Sequence, residues 1–211
     1  MDIKDLIIEV MDNMPIKQND QSIKIMEQRY EKIDLIIKET LPPKIKEILK
    51  EDSVKILGYT GIGIRAYVPW IGIHGEKDLR EKGMFDTSAK LGVYVAILFN
   101  VEGDGVALSI QQGIEKDDNK SKFKTNKELE ELVSKLRLNF NKLNKVRRYE
   151  KYEIFSSKNL RIIPTTNLDV YGQLTRPKKY QIANIMGKEY NKNNLHELES
   201  DLKYLVNIYM N

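Results

Sequence analysis

Cysteine is absent from the chain, and histidine occurs only twice. Without cysteine there can be no disulfide, no thiolate metal site and no cysteine nucleophile. His74 and His196 are far apart in the sequence, and neither lies near partners at metal-ligand spacing. The sequence therefore predicts neither a metal nor another cofactor.

Long apolar runs are also lacking. The longest uncharged stretches have the length of a strand and are interrupted by turn glycines, so none approaches the roughly 20 apolar residues of a transmembrane helix. The chain begins MDIKDLIIEVMDN, which has neither the basic start nor the cleavage site of a signal peptide. We therefore expect a cytoplasmic protein that has no membrane partner.

Recognisable catalytic motifs are missing as well. Gly187-Lys188 is followed by Glu189 where a P-loop needs serine or threonine. Gly61-x-Gly63 is too short for a dinucleotide fingerprint. A restriction-type nuclease needs an acid-x-lysine motif on a strand, whereas Asp118-Asn119-Lys120 lies in a predicted polar loop. The sequence therefore predicts a protein that is not an enzyme.

Charge is abundant but nearly balanced. The 211 residues include 35 Lys+Arg and 31 Asp+Glu, a net charge of +4, which permits nucleic-acid binding without requiring it. This length fits one domain with a sizeable core. We expect an N-terminal helical segment, residues 1–50, packed on an α+β domain of residues 51–211, so that 1–211 forms one domain.

Apolar residues at helical spacing occur near both ends of the chain. The N-terminal part predicts a short helix around Ile3–Val10, a second over Gln21–Thr40 that ends at Pro42-Pro43, and a third over Lys44–Lys50. Thr125–Glu128 forms a capping box that begins a helix ending near Arg147. A last helix starts near Asn194.

The centre of the chain has the pattern of apolar residues and turn glycines that is typical of β-strands. It predicts strands at Val54–Leu57, Ile64–Ile73, Leu91–Asn100 and Val106–Gln111, with turns at Gly58–Gly63 and Glu102–Gly105. The last two strands pair as a hairpin, and Leu91–Asn100 is apolar enough to be buried on both faces. Pro69 favours a sheet edge or a bulge in its strand, because proline cannot donate to a ladder. Leu160–Pro164 and Tyr180–Tyr190 predict further strands. The predicted class is α+β, a mixed or antiparallel sheet with helices from both ends of the chain packed against it.

Aromatic residues and a basic loop lie in the same central stretch. Trp70 and Tyr94 are predicted near strand ends, where their rings suit stacking on a base. Ordinary core packing accounts for them equally. The predicted loop Gly75–Lys90 carries Lys77, Arg80, Lys82 and Lys90, which can contact phosphates or simply be solvated.

Three motifs carry a family resemblance. They are GIGxRAxVPW at 61–70, GVYVxILF at 92–99 and VxLSxxQG at 106–113. Together, and in this order, they resemble the McrB N-terminal domain family, the DNA-recognition part of modification-dependent (type IV, McrBC-like) restriction systems. The resemblance extends over about residues 22–209.

The resemblance implies a function for particular residues. It implies binding of double-stranded DNA and flipping of a modified, methylated cytosine into a pocket formed by Trp70, Tyr94 and Leu98, with Tyr59 as an approximate fourth match. Phosphate contacts are expected from Arg65, Lys77, Arg80, Lys82 and Lys90. The implied partners are a GTPase (AAA+) motor and a nuclease on other domains or chains.

A different class of function stays open. The helical ends of the chain also fit a non-catalytic protein-interaction or assembly domain of a defence complex. A nuclease with a degenerate motif would need Mg²⁺-dependent cleavage by this chain alone. DNA binding at low salt distinguishes the recognition domain from the assembly domain.

Overall fold

The computed structural model describes residues 1–14, 23–62, 64–75, 92–116, 119–147, 154–155 and 175–210. Its centre is a five-stranded sheet with the strand order β1-β2-β3-β4-β7, in which every neighbouring pair is antiparallel. The strands are β1 Val54–Ile62, β2 Ile64–Gly75, β3 Val93–Phe99, β4 Val106–Gln112 and β7 Asn184–Tyr190. A separate pair joins β5, Glu115–Lys116, and β6, Asn119–Phe123.

Helices flank the sheet at both ends of the chain, which confirms the predicted α+β class. They are α1 Ile3–Asn13, α2 Ile23–Asp34, a π-helix Leu35–Thr40, α3 Leu41–Leu49, α4 Asn126–Arg147, α5 Thr175–Ile182, a 3₁₀ turn Leu195–Glu197 and α6 Leu198–Met210. None of the helices in the described ranges is long and apolar enough to cross a membrane. The same residues contain no acidic or histidine cluster that could hold a metal ion.

The larger core lies on one face of the sheet. Odd-numbered residues of β3 such as Val95 and Ile97 point into it, and α1 and α6 contribute Ile7 and Leu205. Even-numbered residues such as Leu98 are equally buried on the other face. Burial of β3 on both faces is therefore confirmed, and each such side chain contributes about 1.5–3 kcal/mol.

Local sequence signals set the hairpin and the start of α4. β3 pairs with β4 as predicted, and Gly103 takes a left-handed φ of 70° in the turn. The capping box is confirmed: the Glu128 N–H donates to Thr125 Oγ1 at 3.2 Å, and the Thr125 N–H donates to Glu128 Oε2 at 2.6 Å.

The predicted turn at Gly58–Gly63 is wrong for most of its length, because β1 continues to Ile62. Gly58 instead lies directly against the π-helix. A Cβ at Gly58 would stand 1.8 Å from the Ile37 carbonyl oxygen. The glycine therefore allows a close approach of helix to sheet rather than a change in chain direction.

Of the two positions predicted for Pro69, the sheet edge is wrong, because β2 lies between β1 and β3, whereas the bulge agrees with an irregular β1–β2 register. The proline is tolerated because both ladders avoid it. The β1–β2 register jumps from Tyr59–Trp70 to Gly61–Arg65, and the β2–β3 ladder begins only at Trp70–Leu98. Neither ladder therefore needs an N–H from position 69.

Three other segments differ from expectation. Helical structure continues through Pro42-Pro43, because prolines are accepted in the first turn of α3. Tyr180 belongs to α5 rather than to a strand, and β6 lies where a polar loop was predicted around Asp118-Asn119-Lys120. The predicted strand Leu160–Pro164 lies outside the described residues.

A partly buried ion pair joins β7 to α6. Lys188 Nζ lies 2.6 Å from Asp201 Oδ2 and 2.5 Å from Glu197 Oε2, and the Tyr190 hydroxyl donates to Asp201 Oδ2 at 2.9 Å. Asp201 is 2 % exposed. Burial acts to lower the pKa of Lys188, but its bonds to the two carboxylates raise it above its ordinary value.

Candidate nucleic-acid interface

The second face of the sheet carries a compact aromatic cluster, here called the aromatic face. It is covered by side chains from α4 and α5 rather than by the terminal helices. Its residues are Val68, Trp70, Tyr94, Ala96, Leu98, Ala107, Ile114, Leu129, Tyr180 and Ala183, with Tyr59 partly buried against them.

Tyr59 and Trp70 form a parallel stack at the exposed side of this face. They are paired across β1 and β2, and their ring centroids lie 4.1 Å apart with an interplanar angle of 12°. Trp70 is 5 % exposed, whereas Tyr59 is half-buried. The phenol thus occupies the face of the indole in the geometry that a nucleobase adopts on an aromatic side chain.

Two further tyrosines surround the indole. The ring centroid of Tyr94 lies 5.8 Å from that of Trp70, and that of Tyr180 lies 6.4 Å away. Burial raises the pKa of Tyr94 well above its ordinary value and raises the pKa of Tyr180 to about 12. Both phenols are therefore uncharged at neutral pH and keep their hydroxyl protons.

His74 extends the cluster along the sheet. Its ring stacks on Tyr94 with 5.0 Å between centroids. The place of the missing Cβ of Gly72 lies 2.6 Å from Trp70 Cζ3 and 2.7 Å from His74 Nε2. Glycine at this position therefore lets the indole and the imidazole approach each other above the sheet.

Burial lowers the pKa of His74 to about 4, and the positive charge of Lys55 adds to this effect. The folded protein therefore resists protonation of His74, while the unfolded chain accepts the proton below pH 6.5. The contribution of the neutral His74 to the free energy of unfolding is therefore fully present above pH 6.5 and is lost as the pH falls toward 4. Each pH unit in that window removes about 1.4 kcal/mol, which gives a total loss of about 3 kcal/mol.

We expect His74→Leu to flatten the acid loss of stability. Denaturant unfolding at several pH values between 7.5 and 4.5 measures this. The matched control is His196→Gln, since His196 is exposed and is the only other histidine. If the free energies of unfolding of wild type and His74→Leu fall in parallel below pH 6.5, His74 is not buried as described.

The predicted phosphate contacts lie mostly beyond the described residues. Lys77, Arg80, Lys82 and Lys90 belong to the undescribed segment 76–91, and Arg65 lies in β2 opposite Gly61 with its side chain undescribed. The strands on either side of this segment are held by Tyr209. Its hydroxyl accepts a hydrogen bond from the Gly75 N–H at 3.0 Å and donates to the Val93 carbonyl at 3.2 Å.

Basic residues beside the aromatic face already have local partners. Arg176 lies 3.6 Å from Glu115 and 5.3 Å above the ring of Phe123. Lys116 pairs with Glu128 at 2.8 Å. Arg176 keeps 57 % of its side chain exposed, so this guanidinium is available to an anion beside the face.

Sequence reasoning located four members of this cluster and missed others. Tyr59, Trp70, Tyr94 and Leu98 lie on one face of the sheet, with Leu98 paired to Trp70; their role as a base pocket stays a prediction. Tyr180, His74 and Arg176 were not assigned. Pro177 lies in the first turn of α5, where proline is accepted, and is the one local signal that indicates the start of this helix.

Comparison with known proteins gives one family. The family model described as MrcB-like, N-terminal domain, matches residues 11–211, nearly the whole chain. A search among curated proteins found no match.

Proposed function

Because the chain belongs to the MrcB-like, N-terminal domain family, we propose that it binds double-stranded DNA and receives an extruded, modified cytosine on the aromatic face. In this proposal it is the recognition domain of a modification-dependent restriction system and carries out no chemistry itself. A GTPase motor and a nuclease on other domains or chains would act on the DNA that it selects.

The observation that carries the proposal is the set of rings around Trp70. Extruding a base costs a few kcal/mol of lost stacking and pairing. Stacking on an aromatic side chain returns about 1–3 kcal/mol for each base. Trp70 offers a broad surface for stacking. The ring centroids of the uncharged Tyr94 and Tyr180 lie 5.8 Å and 6.4 Å from that of Trp70.

Tyr59 holds the position that the base would take. It is the half-buried member of the stack, and it precedes an irregularity in the β1–β2 register at Gly61, which has a left-handed φ of 103°. In our proposal the phenol moves aside when the base arrives, and the base replaces it on the indole. Exchange of one stacked ring for another keeps the aromatic face covered.

Positive charge would hold the duplex in position. Lys77, Arg80, Lys82 and Lys90 belong to the segment between β2 and β3, whose flanking strands Tyr209 fixes beside His74 and Tyr94. Arg176 adds charge beside the aromatic face, and Arg65 belongs to β2, the strand that carries Trp70. Such contacts carry affinity but no base preference.

Binding of wild type to duplex DNA over a salt series tests the proposal. We expect Lys90→Glu and Arg80→Glu to weaken binding to methylated and plain duplexes alike. Each should reduce the slope of log K against log salt by about 1 for every phosphate that is no longer neutralised. Fluorescence anisotropy with labelled duplexes measures both quantities.

Lys203→Glu is the matched control, because Lys203 is an exposed lysine on α6, which covers the opposite face of the sheet. It should leave the salt slope at the wild-type value. Absence of binding to any duplex at low salt would contradict the proposed function and favour an assembly domain. If both charge-reversed variants keep the wild-type salt slope, Arg80 and Lys90 do not contact the phosphates, and the segment 76–91 is not part of the interface.

A further inference from the structure

Two leucines on the helices that flank the sheet are largely exposed to solvent. Leu35, at the start of the π-helix, is 53 % exposed, and Leu138, in the second half of α4, is 59 % exposed. A single leucine on a protein surface needs no explanation. These two differ from scattered surface residues in the unpaired charges beside them, which are negative at Leu35 and positive at Leu138.

Acidic side chains lie about one helical turn before and one turn after Leu35. They are Glu31 and Glu39, each four residues away, so that all three side chains share one face of the helix. Both carboxylates are exposed, and neither forms an ion pair within the described part of the chain. We call Glu31, Leu35 and Glu39 the acidic patch.

Two lysines border the acidic patch, but each already has an acidic partner. Lys32 pairs with Glu9 of α1, and Lys38 Nζ lies 3.2 Å from Asp34 Oδ2. The charges of these four side chains cancel in pairs. The charge that is left on this surface is therefore the negative charge of the acidic patch.

Basic side chains flank Leu138 in the same way. Lys135 precedes it by three residues and Lys142 follows it by four, which places the three on one face of α4. Both lysines are exposed, and neither forms an ion pair within the described ranges. From Leu132 to its end at Arg147, α4 contains no acidic residue that could offset them. We call Lys135, Leu138 and Lys142 the basic patch.

The helix dipole does not account for the basic patch. A dipole favours lysine near the C-terminus of a helix, but the effect is confined to the last turn. Lys135 lies about three turns before Arg147, the last residue of α4. The positive charge around Leu138 is therefore a feature of the surface rather than of the helix end.

The two patches lie beside opposite edges of the sheet. Ile37 of the π-helix packs against Gly58 of β1. Arg137 of α4 instead donates to the carbonyl oxygens of Asn184 and Ile185 in β7, at 2.5 Å and 3.2 Å. β1 and β7 are the outer strands of the five, roughly 19 Å apart at the usual strand spacing. The patches of one chain therefore do not meet, and contact between them requires two copies.

The patches match each other in pattern and in charge. Each has an exposed leucine between two unpaired charges, and these charges lie about 10–12 Å apart along the helix axis in both patches. Docking would bring leucine against leucine and each lysine near a carboxylate. Such charges supply specificity more than affinity, and a contact between two short helix faces falls in the range below about 1,200 Å² that is typical of transient association.

We propose that this chain associates with itself, the acidic patch of one copy docking on the basic patch of the next. A contact between unlike patches leaves one patch open at each end, so copies join head to tail in a row or close into a ring. None of the six residues belongs to the aromatic face. The inference therefore does not depend on DNA binding.

Sedimentation velocity of the wild type without DNA, over a series of protein and salt concentrations, tests the inference. At low salt the weight-average sedimentation coefficient should rise with protein concentration. It should return to the monomer value at about 1 M salt, where the Debye length falls to about 3 Å. A wild type that stays monomeric at every protein concentration at low salt would overturn the inference and leave the proposed function untouched.

Charge reversal identifies the surfaces. The basic-patch variant is Lys135→Glu with Lys142→Glu, and the acidic-patch variant is Glu31→Lys with Glu39→Lys. Each alone should be monomeric at concentrations at which the wild type associates. An equimolar mixture should associate again, because each variant supplies the patch that the other has lost. Association of either variant alone, or a mixture that stays monomeric, would contradict the inference.

The matched control is Lys4→Glu with Lys50→Glu. Both lysines are exposed, lie outside the two patches and form no ion pair within the described residues. This control changes the net charge by the same amount as the basic-patch variant, so it should associate like the wild type. If the control is also monomeric, association depends on net charge rather than on the patches, and the inference fails.

Discussion

Trp70→Ala is expected to lower the free energy of unfolding by about 3–5 kcal/mol, the usual cost of truncating a large buried aromatic side chain. Trp70 is 5 % exposed and contacts three other aromatic rings, those of Tyr59, Tyr94 and Tyr180. Removal of the indole leaves these rings around a cavity that the paired strands cannot close. Denaturant unfolding monitored by circular dichroism measures the loss.

The companion variant Trp70→Phe separates stability from binding. Phenylalanine fills part of the cavity but offers a smaller stacking surface, so we expect a smaller stability loss and a weaker preference for methylated DNA. A Trp70→Ala protein as stable as wild type would contradict the packing described around the indole. Binding experiments should therefore use Trp70→Phe, because the alanine variant confounds unfolding with removal of the stacking surface.

Asp201→Asn is expected to lower the free energy of unfolding by about 3 kcal/mol. This value is at the lower end of the range for breaking a buried ion pair. The change removes the charge that faces Lys188 at 2.6 Å and weakens the acceptor for the Tyr190 hydroxyl. Glu197 still contacts Lys188, which limits the loss. The β7–α6 junction should weaken, and chemical denaturation of the variant measures the difference.

Asp12→Asn is the matched control for this effect. Asp12 also pairs with a lysine, Lys192, but both side chains are more than half exposed. Exposed pairs contribute about 0–1 kcal/mol. Equal effects of the two substitutions would show that the Lys188–Asp201 pair is not shielded from solvent.

The elements that the sequence predicted well have local causes. The Thr125–Glu128 box and the β3–β4 hairpin depend on residues within a few positions of one another. Tyr94 and Leu98 are four residues apart on one predicted strand and so share a face, because side chains along a strand alternate with a period of two. That reasoning places both in the aromatic face but says nothing about what covers them.

The elements that it predicted wrongly depend on distant contacts. Gly58 indicates a turn until the carbonyl of Ile37 is known to lie against it. Pro69 indicates an edge strand unless the interrupted register between β1 and β2 is known. Tyr180 reaches Trp70 only through packing of α5 on the sheet, and no local pattern contains that information.

The central claim is that the aromatic face receives a methylated base, and competition between two duplexes tests it most directly. The duplexes have one sequence, with and without a single 5-methylcytosine, and compete for wild type at one salt concentration. Burial of the methyl group contributes about 0.8 kcal/mol, so the account predicts at least about fourfold tighter binding of the methylated duplex. Trp70→Phe should reduce that ratio. Equal affinity of wild type for the two duplexes would contradict the account.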